Sequence, residues 1–297
     1  MVDDVASLLG SKGHVLDGTL GGGGHTRALL ESGVRVTAVD RDPAAIAEAR
    51  ATLGEFLASG RLQLFAANYA DLGAVAALTG VTFGGILLDL GVSSRQLDES
   101  ARGFTFRQGA ELDMRMDPAT PESAAGLLAR ASAVELAWIF REYADERRAM
   151  RLAREIVRRR EERHPLRTSD DLVGAIRGSL GPETGPGDFA RLFQALRIAV
   201  NDELRGLARA LPDLRDRLEA EGTFVVIAYH SGEDRIVKDA WREWSADCIC
   251  PPRQPVCTCR GKALGETLTR KPVIASEREV SRNPRARSAR LRAWRRA

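Results

Sequence analysis

Lysine is nearly missing from this chain: it stands at positions 12, 238, 262 and 271 only, so 40 of the 44 basic residues are Arg. Almost every cation is therefore a guanidinium, the group that forks onto phosphate and stacks on bases. A genome-wide coding bias toward Arg and Ala is the plainer explanation of the same count. Cysteine is absent outside a twelve-residue window, which excludes a secreted disulfide scaffold. No apolar run approaches the roughly 20 residues that a bilayer span needs. The start, MVDDVASLLGSKG, has neither the basic opening nor the long apolar stretch of an export signal. The expectation is a protein that is not embedded in a membrane and resides by default in the cytoplasm.

What is present is ordinary for a globular chain: 44% hydrophobic and 29% charged residues, with a net charge of +3. A length of 297 residues suits one large domain, or one domain carrying an inserted second one. Short apolar runs alternate with helical patterns through the first ninety residues. Strands are predicted at Val15-Leu16, Val34 to Val39, Leu62 to Ala66 and Ile86 to Leu90, with helices over 26–31 and 44–57. Such alternation specifies a parallel, doubly wound α/β sheet, because parallel strands need a crossover to return. From about Pro118 to Arg191 only helical periodicity remains, which predicts an inserted all-helical domain. The domain expectation is 1–117 and 192–297 for the sheet and 118–191 for the insert. A helix over 193–220 leads into the strand Gly222 to His230; Ser288 to Arg296, where Ala289, Leu291 and Ala293 alternate with Arg290 and Arg292, reads as an antiparallel edge or hairpin strand with one wet face.

Four consecutive glycines occupy the turn after the first strand, in DGTLGGGGHT (17–26). Glycines at a strand-to-helix turn let a ligand approach the backbone and leave helix N-terminal amides free to donate. The dinucleotide pattern Gly-x-Gly-x-x-Gly fails here because Thr26 stands at the third glycine, and no Gly-Lys-Ser/Thr follows. Pyrophosphate is thus disfavoured. Asp17 precedes the loop and Asp40 ends the second strand, where an acid suits ribose hydroxyls. Two carboxylates repel phosphate and tolerate a cation, which fits S-adenosylmethionine. The competing reading is a glycine-rich turn packed tightly on a neighbouring helix without a ligand.

DGTLGGGGHT, AVDRDP, LLDLGVSSRQLDESARGFTF, LDMRMD, FQALRIAVNDEL, HSGEDRIVK and NPRARSARLR, in this order, resemble the family of ribosomal RNA small subunit methyltransferase H, also called MraW. The resemblance runs from about Val15 to Arg292. It implies a Rossmann-like class I methyltransferase sheet and methyl transfer from S-adenosylmethionine to the N4 of a cytidine in small-subunit ribosomal RNA. It further implies cofactor contacts at Gly23, Gly24, His25, Asp40, Tyr69, Asp89 and Gln96. The chain departs from the family pattern in lacking a leading His-x-Pro-Val-Leu, in Gly232 where Leu is usual, and in DFAR (188–191) where Pro-Ala-x-Arg is usual.

Cytosine N4 is a weak nucleophile because its lone pair is delocalised into the ring. A catalyst must hold it in line with the methyl carbon and accept hydrogen bonds from its protons. Asp89, in Asp89-Leu90-Gly91-Val92, is the candidate carboxylate, although the Pro-Pro-aromatic platform of many amino methyltransferases is missing; capping of the next turn is its alternative role. His230 and Ser231 end the fifth predicted strand on the same rim. His230 is a candidate for proton transfer or for RNA phosphate, against a structural role. The resemblance places Asp113 and Arg115 at the base pocket; Ser231 and Arg287 are further candidates for substrate contact.

Arg147, Arg151, Arg154 and Arg158 form one predicted helical stripe that would track phosphates, unless Arg151–Glu155 and Arg158–Glu162 pairs neutralise it. Residues 278–297 hold eight Arg against one Glu and favour RNA contact. Partners are therefore small-subunit ribosomal RNA or the assembled subunit, with oligomeric state undetermined. Cys248, Cys250, Cys257 and Cys259 supply four soft ligands for zinc, though with one intervening residue where two are usual; reduced thiols or a local disulfide are the alternatives. Two rival functions remain at this point, an NAD-linked oxidoreductase and a non-catalytic RNA-binding protein.

Overall fold

The computed structural model describes residues 1–251, 254 and 256–297; residues 252, 253 and 255, in the stretch PPRQPV between the cysteine pairs, lie outside the described residues. Two compact units emerge, Met1–Gly91 with Leu204–Ala297 and Val92–Glu203. The first opens with α1 (Val2–Leu9), β1 (His14–Asp17), α2 (Gly24–Glu31), β2 (Arg35–Asp40), α3 (Pro43–Thr52), α4 (Gly54–Ala58), β3 (Leu62–Ala66) and β4 (Phe83–Asp89). The second carries α5 (Ser94–Asp98), α6 (Ala124–Arg130), α7 (Ala133–Ala144), α8 (Ala149–Glu161), α9 (Ser169–Leu180) and α10 (Pro186–Asn201). The chain then continues through α11 (Glu203–Asp216), β5 (Leu218–Ala228), α12 (Ser231–Trp244), β6 (Gly265–Thr267), β7 (Val273–Ile274), α13 (Glu277–Arg282) and β8 (Arg290–Arg296). Among the described residues no helix is long and apolar enough to cross a membrane.

Among the described residues, eight strands form one sheet in the order β3-β2-β1-β4-β5-β8-β6, with β7 also on β8. β1 to β5 run parallel, and β8 is antiparallel to β5. The chain winds from β1 through β2 to β3 on one side and from β4 to β5 on the other, so the switch point lies between β1 and β4. Ligands of open α/β sheets sit beyond the carboxyl ends of the strands at that point.

Period-two alternation sends successive side chains to opposite faces, and both faces are covered. Val15, Leu87, Val225 and Ile227 join the core with Leu9, Leu29 and Ile46, whereas Leu16, Ile86, Phe224 and Val226 join the core with Leu211, Trp241 and Trp244. Trp294 completes a cluster with Trp241 and Trp244, at ring separations of 6.3 and 5.3 Å.

The unit limits differ from the composition-based ones. Phe104, Leu112, Met114 and Met116 are buried in the helical core, as are Phe189, Leu192, Phe193 and Leu196 of α10, so both flanking segments belong to the second unit. The helix expected over 193–220 is two helices and the start of a strand. Asp202 turns to φ 48° and caps α10, and Leu218 already pairs with Phe83. A break at Leu53 likewise divides the expected helix over 44–57. β8 is not an edge strand: it is paired to β5 on one side and to β6 and β7 on the other. Its Arg292 is buried at 7% exposure, so the expected wet face is closed there.

Candidate active site

Parallel pairing aligns the carboxyl ends of β1, β2 and β4, and brings Asp17, Asp40 and Asp89 to one rim. Tyr229 and His230 follow β5 on the same rim.

The glycines have separate tasks. At Gly18 a β-carbon would come within 2.5 Å of Leu88 Cδ2 and 3.1 Å of Tyr69 Cβ, so this residue serves close packing. Gly23, at φ 74°, is the N-cap of α2, a left-handed conformation that a side chain would strain. At Gly22 and Gly24 an added β-carbon would meet nothing within 4 Å. Bare backbone therefore borders open space beside the N-terminus of α2.

Asp17 is fully buried and accepts hydrogen bonds from Thr26 Oγ1 at 2.6 Å and from the Thr19 amide at 3.1 Å. Its carboxylate holds the loop from inside. Burial raises its pKa, against the Thr26 hydroxyl and the nearby His25. Asp40 accepts the Gly21 amide on Oδ2 and the Asp42 amide on Oδ1, both at 2.8 Å. Each oxygen keeps a lone pair for a hydroxyl donor. Burial raises the Asp40 pKa, and the two amides oppose that shift. Tyr69 is 9% exposed and sits beside Gly18.

Asp89 is the centre of a constellation that sequence reading reached only in part. Tyr229 donates its hydroxyl to Asp89 Oδ1 at 2.9 Å, and His25 Nε2 lies 3.4 Å from Oδ2. The Asp89 amide donates to Thr19 Oγ1 at 2.6 Å, which fixes the end of β4 to the loop. Burial opposes the His25 imidazolium, yet the hydrogen bond and charge of Asp89, with Asp17 behind, raise its pKa overall. His25 Nδ1 is buried without a partner among the described residues. Burial first, then the Asp89 charge, pushes the Tyr229 phenol well above its usual range, so it stays a donor. Tyr229, Thr19 and Thr26 were missed because only their position before His230 or beside the glycines marked them.

His230 has other obligations. Its Nδ1 accepts the Gly232 amide at 3.2 Å, which caps α12 and leaves the proton on Nε2, a buried atom 3.1 Å from Glu233 Oε1 but not aligned for a hydrogen bond. Glu233 in turn accepts the Tyr229 amide at 2.9 Å. Ser231 opens α12 and is exposed, and Arg287 is exposed before β8.

Gln96, Asp113 and Arg115 belong to the second unit. Gln96 Oε1 accepts the Ser93 amide at 3.1 Å and closes a capping box on α5. Arg115 donates Nε and Nη2 to Asp113 at 2.6 and 3.0 Å, and Nη1 to the carbonyls of Pro118 and Thr120 at 3.1 Å each. Most of its donors thus brace its own loop, in contrast to the expected base contact. Burial opposes ionisation of Asp113, but Arg115 outweighs it and lowers the pKa. Asn201, unmarked by the sequence reading, receives the Met116 amide at 2.8 Å and donates to the Met114 carbonyl at 2.7 Å, which joins LDMRMD to NDEL.

The expected arginine stripe is shortened. Arg147 lies in the turn before α8, and Arg158 pairs with Glu155 and Glu162. Glu155 binds Arg158 and Arg159 rather than Arg151; all four stripe residues are exposed, and on α8 Arg151 and Arg154 stand outside these ion pairs. Half of the C-terminal arginines serve the fold: Arg290 and Arg292 meet Asp234, Arg295 meets Glu266, and Arg296 donates to three carbonyls including Leu218. Cys248, Cys250, Cys257 and Cys259 converge, with all four sulfurs within 4.8 Å of one another.

The family model described as the MraW methylase family matches residues 1–297. Ribosomal RNA small subunit methyltransferase H of Gemmatimonas aurantiaca is 61% identical over 297 residues, covering 100% of this chain and 94% of that protein. The protein of the same name from Heliobacterium modesticaldum is 47% identical over 290 residues, covering 95% and 92%. That from Thermomicrobium roseum is 46% identical over 288 residues, covering 95% and 87%.

Proposed function

Because the chain belongs to the MraW methylase family, we propose that it transfers a methyl group from S-adenosylmethionine to the N4 amine of a cytidine in small-subunit ribosomal RNA. The observation that carries this reading is Asp89, held by Tyr229 on one oxygen and faced by His25 on the other, beside glycines that open onto empty space. The residues suit the cofactor: Gly22 and Gly24 leave a cradle that side chains would fill, and His25 Nδ1 is a buried polar atom awaiting a partner. When bound, S-adenosylmethionine supplies a methyl carbon made electrophilic by its sulfonium.

Gly23, Gly24 and His25 border the cofactor, Asp40 takes the ribose hydroxyls, and Tyr69 lies against the nucleoside. The carboxylates of Asp40 and Asp89 make the rim hospitable to a cation and hostile to a pyrophosphate, which disfavours the NAD-linked reading. Asp89 accepts hydrogen bonds from the exocyclic amine, so that the nitrogen lone pair leaves conjugation with the ring and faces the methyl carbon, and it takes up the proton that N4 loses on methylation. Tyr229 retains its proton and orients Asp89, and is a positioning residue. His25 balances the charge of Asp17 and Asp89. His230 acts mainly as the cap of α12. Arg287, Arg278 and Arg282 are exposed guanidiniums for RNA phosphate, and Asp113 and Arg115 shape the second unit for the substrate.

Incubation with methyl-labelled cofactor and small subunits from a strain lacking the modification tests the proposal. Label in N4-methylcytidine at one site is expected; label on another base, or none, refutes it. Calorimetry with Asp40→Ala tests the ribose contact, with at least tenfold weaker cofactor binding expected.

A further inference from the structure

Outside that rim, the chain's soft donors are gathered in one place. We propose that Cys248, Cys250, Cys257 and Cys259 form a closed structural zinc site that holds the loop between α12 and β6. A tetrahedron with Zn–S bonds of about 2.3 Å has its sulfurs about 3.8 Å apart. Three pairs, Cys248–Cys257, Cys250–Cys257 and Cys248–Cys259, stand at 3.8 Å, and Cys257–Cys259 at 3.4 Å. The last distance shows that one intervening residue is enough to bring two sulfurs to the spacing a single ion requires.

A disulfide needs sulfurs about 2.05 Å apart, and all four cysteines are free. Four thiols offer no oxygen to magnesium or calcium and leave no open position for a substrate, so the site is structural and suits zinc. Backbone supports the sulfurs as it does around bound thiolates: the Ile249 amide donates to Cys259 Sγ at 3.3 Å. Among the described residues the loop has no apolar core of its own, since Ile249 is 43% exposed and Val256 70% exposed. Its base, by contrast, is anchored. The Leu264 amide donates to the Trp244 carbonyl at 2.8 Å and the Ala263 amide to Asp247 Oδ1 at 3.2 Å. An ion would supply at the tip the cohesion that side chains supply at the base. Each thiol loses its proton on ligation, so the occupied site carries two net negative charges.

This inference is independent of methyl transfer and is tested on the full chain. Protein purified under reducing conditions is expected to carry one zinc per chain by elemental analysis and to release it on titration with a mercurial. Replacement by Co²⁺ is expected to give the intense red-region bands of a tetrahedral all-sulfur site. The double variant Cys257→Ser, Cys259→Ser is expected to lose zinc more than tenfold in affinity and to be cleaved faster between 248 and 259, with cofactor binding retained. Less than a tenth of an ion per chain after dialysis against Zn²⁺ would overturn the assignment. So would thiols that react equally fast with and without Zn²⁺, or the visible absorption of a ferric tetrathiolate. If the double variant fails to fold, the mercurial titration of the unaltered chain decides: no zinc released means no site.

Discussion

Arg292 on β8 lays its guanidinium along the Asp234 carboxylate on α12, with Nε 2.6 Å from Oδ1 and Nη2 3.1 Å from Oδ2. The partners are 58 residues apart and lie in two motifs that sequence reading took for RNA and substrate contacts. Both side chains are at or below 10% exposure, so each charge depends on the other. Removing one partner leaves the other buried and uncompensated. Arg292→Met or Asp234→Leu alone is expected to cost about 3–5 kcal/mol, and the double replacement to recover most of it, as read by urea unfolding. Independence of the two single effects would contradict the pairing. Burial opposes ionisation of Asp234, but Arg292 lowers its pKa overall. Its contribution is therefore present above the ordinary carboxylate pKa of about 3.9 and is lost as pH falls through the lower folded value.

Asp89→Asn is expected to lower kcat by about 10²–10⁴-fold, the range for a positioned acid–base group. Tyr229→Phe removes one hydrogen bond to that carboxylate and is expected to lower kcat by about 10- to 100-fold. Cofactor Kd should stay within twofold in Tyr229→Phe. A Kd that rises as far as kcat falls would make Tyr229 a cofactor-binding residue instead.

Gly22→Ala and Gly18→Ala separate the two uses of glycine in one loop. The first adds a methyl to open space and is expected to leave stability within about 0.5 kcal/mol while weakening the cofactor at least tenfold. The second forces Leu88 and Tyr69 apart and is expected to cost about 1–3 kcal/mol. Paired melting and calorimetry read both. A stable Gly18→Ala, or a Gly22→Ala with unchanged affinity, contradicts the division.

His25 has a folded pKa raised above its ordinary 6.5, because Asp89 and Asp17 outweigh burial. A raised histidine contributes stability that is complete below about 6.5 and is lost as pH rises through the folded value. The unfolding free energy of the ligand-free chain, relative to His25→Gln, is expected to fall across that window. Urea titrations from pH 6 to pH 9 would show it; a difference independent of pH would place the imidazole outside the field of the two carboxylates.

The separation of roles within motifs was beyond reach of the residue string. Asp89 and Asp40 could be marked because strand ends on one rim follow from parallel alternation alone. Tyr229 could not, since its meaning depends on β5 lying beside β4 and delivering a hydroxyl to a residue 140 positions away. His230 and Arg115 carry groups suited to chemistry, yet one caps a helix and the other braces a loop. The limits of the helical unit were equally hidden, because Leu112, Met114 and Met116 are as apolar as any core residue and only packing shows which core receives them.

Local physics therefore determined from sequence what depends on neighbours in the chain: the alternation of strands and helices, the glycine turn, and acids at strand ends. Tertiary structure alone decided what depends on distant partners: which charges are neutralised and which hydroxyl reaches Asp89. Periodicity and turn chemistry act over a few residues, whereas burial and pairing are set only once the sheet order brings remote segments together.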